Sequence, residues 1–486
     1  MSLITRLQSQ FKIEFGSQLI SVLSGAILTV VLANTLSTDK YGLLFLSFSI
    51  FGVVKLFSRF GIDRATARYI TKYKEKKTSQ IPHILKFGFL LNIVSISLSC
   101  IVLLVFHLAI VDLLSEPRLS TFLLFGILFI FFSTLAKFTR SSFQGFEDIK
   151  AAALVRVIDR VVRLLVVIFL VILGYGALGA LFGYIFASAL TAITGLIYVY
   201  KKYYFTPEIA ALPDLRKKIA KYTLPLTATS SANIIDKRVD TILVGFFLDP
   251  TAVAFYTLGK QVVSFIEAPM SALGFTLSPT FEAEKAKGNL KTAARIYEQA
   301  LVSGLQFYIP AAAGLALIAE PMVRLVFGGK YSGAVPVIQI MGVYAIALSV
   351  AILTSNSLDF LGRARARAKL KISTSILNAI LNILLIPSFG VEGAAIATVL
   401  TFWLFAAGTV YVMSLEFDLR KRWVIKRLIR IIGVTVGMSL SIIFVNDSIS
   451  GYISLIMVIA LGIIVWFILS LATGLMKLRE IVRIVR

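Results

Sequence analysis

Two apolar runs meet at Pro387, Ser388, Phe389 and Gly390 with almost nothing polar between them, and no other feature constrains the fold of this chain as strongly. A connection this short between such apolar stretches joins two membrane helices by a tight reversal. Pro387 is expected to stop the first helix, since its ring removes a backbone donor and crowds the preceding turn. Gly390 and Gly393 supply permissive backbone for the turn. Beyond them, the small residues Ala394, Ala395, Ala397 and Thr398 let the second helix approach a neighbour closely.

The rest of the chain has the same character. Of its 486 residues, 58% are hydrophobic and 15% charged, too little charge to cover a water-soluble surface. The expectation is an all-α polytopic membrane protein with about fourteen spans, each of about 20 residues to cross a hydrocarbon core of roughly 30 Å. They start near residues 13, 41, 83, 119, 152, 176, 223, 252, 297, 333, 367, 393, 428 and 451. The first apolar stretch, Phe15 to Leu36, is longer than the apolar region of a signal peptide and has no clear small-residue cleavage site, so it reads as an uncleaved span. Cys100 is the single cysteine, which excludes an intrachain disulfide and a cysteine-cluster metal site. His83 and His107 sit near opposite ends of one expected helix and read as interfacial residues. There is no Gly-x4-Gly-Lys-Ser/Thr sequence and no His/Asp/Glu group with metal-ligand spacing. The expected protein is therefore not an enzyme and carries no cofactor and no metal; transport must draw on a gradient.

The net charge of +24 is spread over alternate connections and is not gathered in one domain, which argues against nucleic acid as a partner. Basic residues precede the first span (Arg6, Lys12) and follow the second (Arg64, Arg68, Lys72), the sixth (Lys201, Lys202, Arg216), the tenth (Arg363, Arg365, Arg367) and the twelfth (Arg420, Lys421, Arg422). The intervening connections, such as Ser37 to Lys40, Leu248 to Thr251 and Asn446 to Gly451, carry almost none. By the positive-inside rule both termini are cytoplasmic, and the basic loops face anionic lipid headgroups.

The chain also repeats itself at long range. Tyr41 matches Tyr256 at 215 positions, Gly176 matches Gly390 at 214, and Gly145 matches Gly362 at 217. Six spans per copy place both copies in the membrane the same way, as lobes related by an axis along the membrane normal. The expected organisation is an N-terminal six-helix lobe over 1–200, a cytoplasmic linker over 201–222, a C-terminal six-helix lobe over 223–427 and an appended helix pair with a tail over 428–486.

An ionisable side chain in hydrocarbon costs roughly 2.5 to 3.5 kcal/mol, so such residues normally face a wet or protein-lined interior. Lys55 and Arg59 are four apart on the second span, on one face with Gly52. The seventh carries Asn233, Asp236, Lys237, Arg238 and Asp240, and the eighth carries Lys260 and Glu267, two turns apart. The first offers Asn34 among its polar residues. Arg156, Asp159, Arg160 and Arg163 form a stripe on the fifth span that reads as a lipid-phosphate contact or as structural packing.

The segment Leu377–Leu400, the run Glu320 to Tyr331 and Leu361-Gly362-Arg363 together resemble, in order and spacing, the C-terminal half of polysaccharide-exporting flippases of the multidrug/oligosaccharidyl-lipid/polysaccharide superfamily. Ile234 to Gly245 is similar to that family's seventh helix. The resemblance implies that the first, second, seventh and eighth spans line a cavity between two lobes. On that reading Lys55, Arg59, Lys237, Arg238, Lys260, Asn34 and Asn233 bind substrate, and Asp236, Asp240 and Glu267 serve ion coupling. The implied cargo is a polyprenyl- or dolichyl-(pyro)phosphate-linked glycan, moved across the plasma membrane of a prokaryote by alternating access, with H⁺ or Na⁺ coupling and other glycan assembly proteins as partners. Two alternatives remain open at this point: a cation-coupled exporter of the multidrug branch, and a non-transporting scaffold in a glycan assembly complex.

Overall fold

The computed structural model describes the backbone of residues 3–59, 61–75, 77–204 and 213–476, and the side chains of these except 3–12, 15, 59, 221–222, 224–237, 268, 272, 275–276, 278–279 and 282. The side chains of Arg59, Asn233, Asp236 and Lys237, four of the expected site residues, therefore lie outside the described residues.

The described chain is helical with no strand. Helices α1 (Leu3–Thr35), α2 (Thr38–Arg59), α3 (Ile62–Tyr73), α4 (Ile81–Leu113), α5 (Leu119–Gly145), α6 (Ile149–Leu170), α7 (Gly176–Tyr203) and α8 (Leu215–Phe247) come first. They are followed by α9 (Pro250–Ile266), α10 (Ala268–Ala286), α11 (Leu290–Met322), α12 (Ala334–Phe360), α13 (Ala364–Glu416), α14 (Lys421–Asn446) and α15 (Tyr452–Ala472). Among the described residues ten stretches are long and apolar enough to cross a bilayer, against the fourteen expected. Two of the ten, Ile149–Tyr203 and Ala364–Glu416, each contain two helices. The shortfall otherwise falls on α9, only 17 residues long, and on α8, whose second half carries Asp236, Lys237, Arg238 and Asp240. This is a multi-pass membrane protein.

Packing divides the chain into two compact units, Met1–Val253 and Ala254–Arg486. In the first, α8 runs antiparallel to α2: Gly52 lies under Arg238 and Leu46 against Gly245. The packing boundary thus falls one helix later than the boundary read from the repeat. Helix α3 is a short amphipathic element whose inner face is seated on α5, where Thr71 donates to the Gly145 carbonyl at 2.8 Å and a side chain at 145 would collide with the Ala67 carbonyl. In the second unit, α14 and α15 pack on α11 through Met438, Ile442, Leu455 and Val458.

The two reversals carry the repeat. Gly390 adopts φ 59, ψ −142 and Gly176 adopts φ 57, ψ −140, nearly the same point in a region reserved for glycine. About Gly390 the halves of α13 run antiparallel, with Asn378 donating to Thr401 Oγ1 at 3.2 Å and Leu370 against Gly408. About Gly176, α6 and α7 do the same, with Val167 against Gly183. Pro387 does not end its helix, contrary to expectation; helical geometry runs through it to Gly390, because a proline there forgoes only one hydrogen bond near a helix end. Gly393 serves close approach and not the turn: a Cβ there would stand 2.3 Å from the Leu385 carbonyl oxygen.

Tyr41 and Tyr256 are both fully buried, as the repeat requires. The pairing of Gly145 with Gly362 needs correction. The left-handed residue after α5 is Glu147 (φ 59), and it occupies the place of Gly362 (φ 79) after α12, at the common offset of 215. The hydrogen bonds agree: Glu147 N–H reaches the Gln144 carbonyl and Asp148 the Phe143 carbonyl, while Gly362 reaches Asp359 and Arg363 reaches Leu358.

Candidate functional site: cations and aromatic rings in the first unit

One face of α2 presents Phe48, Gly52 and Lys55 at helical spacing, and the site grows from it. Lys55 is buried, with its ammonium 3.7 Å from the centre of the Phe129 ring on α5. A desolvated cation over a ring face gains about 2 kcal/mol, which helps to hold this charge inside the unit. Phe129 is 6.1 Å from Tyr184 on α7, and Phe48 is 4.5 Å from the same tyrosine, so three rings form one aromatic wall. Tyr184 also receives Arg163 from α6, the guanidinium 4.6 Å from the ring centre. Arg163 is held in place by both oxygens of Asp159, one helical turn earlier, and Arg160 stands 4.0 Å from the same carboxylate.

Arg238 reaches the cluster from α8. A Cβ on Gly52 would lie 3.0 Å from both its Cγ and its Nε, so the absence of a side chain at 52 is what lets the arginine stem lie across α2. Arg160, Arg163 and Arg238 thus gather around the partly buried Tyr184. Two residues after Arg238, Asp240 is buried and accepts from the Thr241 N–H at 3.2 Å. Within the described residues the cluster thus sets Lys55, Arg160, Arg163 and Arg238 against Asp159 and Asp240. Its excess of donors suits a phosphate or pyrophosphate, since guanidinium forks match such oxygens and ring faces suit sugar planes.

The structure brings together Lys55, Arg238 and Asp240 among the expected residues. Asn34 stands apart: it is exposed and its amide donates to the Val30 carbonyl of its own helix at 2.9 Å. Lys260 belongs to the second unit, its ammonium 5.1 Å from the Tyr256 ring. Glu267 occupies the break between α9 and α10, where Tyr308 donates to the carbonyl of Ile266 beside it. The stripe on the fifth span does not act as one unit. Arg156 is buried against α1, donating to Ser17, Gln18 and Glu14, and is structural, whereas Arg163 turns to the aromatic wall. Phe48, Phe129 and Tyr184 went unnoticed in the sequence because rings in apolar helices carry no signal of which cation they will meet. The four-residue spacing of Asp159 and Arg163 was the one visible sign.

The fold is that of the multidrug/oligosaccharidyl-lipid/polysaccharide exporter superfamily. It matches the structure of a lipid II flippase MurJ in an inward closed conformation with a TM-score of 0.76, covering 93% of this chain and 97% of that one at 19% identity. It also matches an inward-facing multidrug resistance MATE family transporter with a TM-score of 0.68 at 14% identity, covering 81% of this chain and 94% of that one. The chain belongs to the polysaccharide biosynthesis protein family, whose model matches residues 11–283. Residues 225–384 also match the MatE model. Among curated relatives, an uncharacterised membrane protein of Methanocaldococcus jannaschii is 23% identical over 87% of both chains. The probable low-salt glycan biosynthesis flippase Agl15 of Haloferax volcanii is 23% identical over 76% of this chain and 75% of its own. The probable lipid II flippase MurJ of Rhizobium meliloti is 26% identical over 38% of this chain and 36% of its own.

Proposed function

We propose that the chain is a flippase carrying a lipid-(pyro)phosphate-linked oligosaccharide or polysaccharide unit from the cytoplasmic to the outer leaflet. The observation that carries this reading is the cluster, net cationic among the described residues, walled by Phe48, Phe129 and Tyr184 within apolar helices. A phosphate-linked glycan needs such a site, and a drug cation would be repelled by it. The relatives named as glycan or lipid II flippases support the same cargo class.

In this reading the lobes over 1–200 and 223–427 rock to expose the site to each side in turn. Lys55, Arg59, Lys237, Arg238 and Lys260 grip the phosphate, and Asp236, Asp240 and Glu267 balance the empty site or take up H⁺ or Na⁺. Both termini face the cytoplasm of a prokaryotic cell, so cysteines at Thr38 and Asp249 are labelled from outside by an impermeant reagent; labelling only after permeabilisation reverses the orientation. The decisive experiment is reconstitution. Vesicles containing the protein translocate a fluorescent polyprenyl-pyrophosphate glycan, Arg238→Ala and Lys55→Ala each reduce the rate at least about tenfold, as expected for loss of a charged contact, and Arg238→Lys recovers part of it. Full translocation by the Lys55→Ala/Arg238→Ala double variant overturns the proposal.

A further inference from the structure

At one end of the first unit, α4 and the start of α8 frame a groove that shares no residue with the cation and aromatic cluster. Its construction begins with Asp214, whose left-handed backbone (φ 63) turns the chain into α8. Leu215 and Ile219 are then buried among Ile84, Leu85 and Val199, anchoring the first turns of α8 on the body of the unit. That anchorage leaves Arg216 exposed beside a groove of about 280 Å³ whose other walls are Lys86, Phe87, Leu90, Leu91 and Val94 of α4, with His83 at the rim.

The lining is graded. Lys86, Leu90 and Val94 follow one another at four-residue spacing on a single face of α4, so the charge sits at the end of the helix and the apolar wall runs inward from it. Beyond Val94 the same face continues as Leu98, Ile101 and Val105, each more than half exposed along a span 36 residues long. Two cations at the mouth, an apolar floor, and an opening onto the membrane-facing surface of α4 are the complement of a two-part ligand with an anionic head and a hydrocarbon tail. A water-soluble anion leaves the apolar wall uncovered, and a neutral lipid leaves Lys86 and Arg216 without counter-charge.

We propose that this groove binds an anionic phospholipid, with the headgroup phosphate between Lys86 and Arg216 and an acyl chain along Phe87, Leu90 and Val94. The bound lipid bridges α4 and α8 and pins the start of α8 to the bilayer surface. This site is independent of the cargo.

The test is titration of the full-length protein with phosphatidylglycerol or phosphatidylcholine, followed by native mass spectrometry of retained lipid. Phosphatidylglycerol is retained in preference to phosphatidylcholine. Removing two interfacial cations with Lys86→Ala/Arg216→Ala weakens its retention about thirty-fold, while Lys86→Arg/Arg216→Lys preserves it. Lys217→Ala/Lys218→Ala deletes the same charge outside the groove and changes retention less than about threefold. Equal losses in the two alanine pairs reveal diffuse surface attraction and overturn the proposal, as does equal retention of the two lipids. Displacement of bound phosphatidylglycerol by excess glycerol phosphate also overturns it, because it shows that the apolar wall contributes nothing.

Discussion

The helix pairs α6–α7 and α13 are one design executed twice. Both turn on a glycine at the same backbone angles, and both are tied at their far ends by an ion pair. In the first unit Asp148 accepts from Lys202 at 2.8 Å; in the second, at the equivalent places, Arg363 donates to Glu416. The signs are exchanged. Asp148 stands at a helix N-terminus and Lys202 at a helix C-terminus, each complementing the partial charge there, and Asp148 also caps α6 by accepting from the Ala151 N–H at 3.1 Å. Arg363 and Glu416 both oppose their helix dipoles, and Glu416 recruits a second cation, Lys285, at 2.7 Å. The frame demands a pair at this position and is indifferent to which side supplies the negative charge.

The interiors differ as well. Between α6 and α7 lie Arg163 and Tyr184; at the equivalent level of α13 lie Asn378, Thr398 and Thr401, with Tyr256 bonded to Thr398 at 3.0 Å and Asn382 donating to Asn378. One copy carries charge and rings, the other a neutral polar clasp. The second unit keeps its own buried cation at another level of α13, where the Lys371 ammonium lies 4.2 Å from the centre of the Phe402 ring.

The glycines provide the severest test of this equivalence. Gly176→Ala and Gly390→Ala should each cost about 1–3 kcal/mol, because neither alanine can adopt that geometry without strain; thermal unfolding in detergent measures it, and tolerance of one but not the other breaks the comparison. Next come the interiors. Asn378→Leu should lose about 1 kcal/mol, since it removes the side-chain bonds to Thr401 and Asn382 while Asn382 keeps its bond to the carbonyl of residue 378 and Thr401 its bond to the Ala397 carbonyl, with transport reduced only in proportion to folded protein. Arg163→Gln should instead cut translocation at least tenfold for a similar stability loss of about 1 kcal/mol.

The ion pairs come third. Asp148→Asn removes most of the pair and weakens the cap, a loss of about 1 kcal/mol, whereas Arg363→Ala should cost less than about 0.5 kcal/mol, since it is half exposed and Lys285 still holds Glu416. Burial raises the Asp148 carboxyl, but bonds from Lys202, Tyr203 and the Ala151 N–H outweigh it and leave the group below the ordinary aspartate value of 3.8. Its stabilisation is therefore complete above that value and disappears as pH falls through the lower folded one, so the gap between wild type and Asp148→Asn closes only in strong acid. Asp148→Lys/Lys202→Glu, which imitates the second unit's signs, should fall between Asp148→Asn and Arg363→Ala at about 0.5–1 kcal/mol from mismatched dipoles, with the pair itself retained.

Much of this frame was legible in the sequence. Gly176 and Gly390 announced themselves because two long apolar runs with a glycine and no polar loop admit one solution. Gly145 and Gly362 misled, since the first is a contact glycine under α3 and the second a cap, and Glu147 performs the capping role in a left-handed conformation that its identity does not advertise. Lys55 and Arg238 were found by the cost of charge in hydrocarbon. Their neighbours Phe129 and Tyr184 were not, because the register of one helix against another fixes those contacts. The exchanged ion pair was invisible for a simpler reason: a search for similarity discards positions where the charges are opposite.

The reversals at Gly176 and Gly390 also govern how the protein is made. A helix pair joined by so short and apolar a turn, Gly390 in one case and Gly174 to Gly176 in the other, has no polar segment to leave on the far side of the membrane while the second helix is being synthesised. The first helix alone cannot settle with its end capped, so each pair must enter the bilayer as a finished hairpin. For Ile149–Tyr203 that means 55 residues emerging before the unit can commit, several seconds at roughly 5–20 residues per second. During that interval the insertion machinery, and not the lipid, has to shelter the leading helix together with Arg156, Asp159, Arg160 and Arg163.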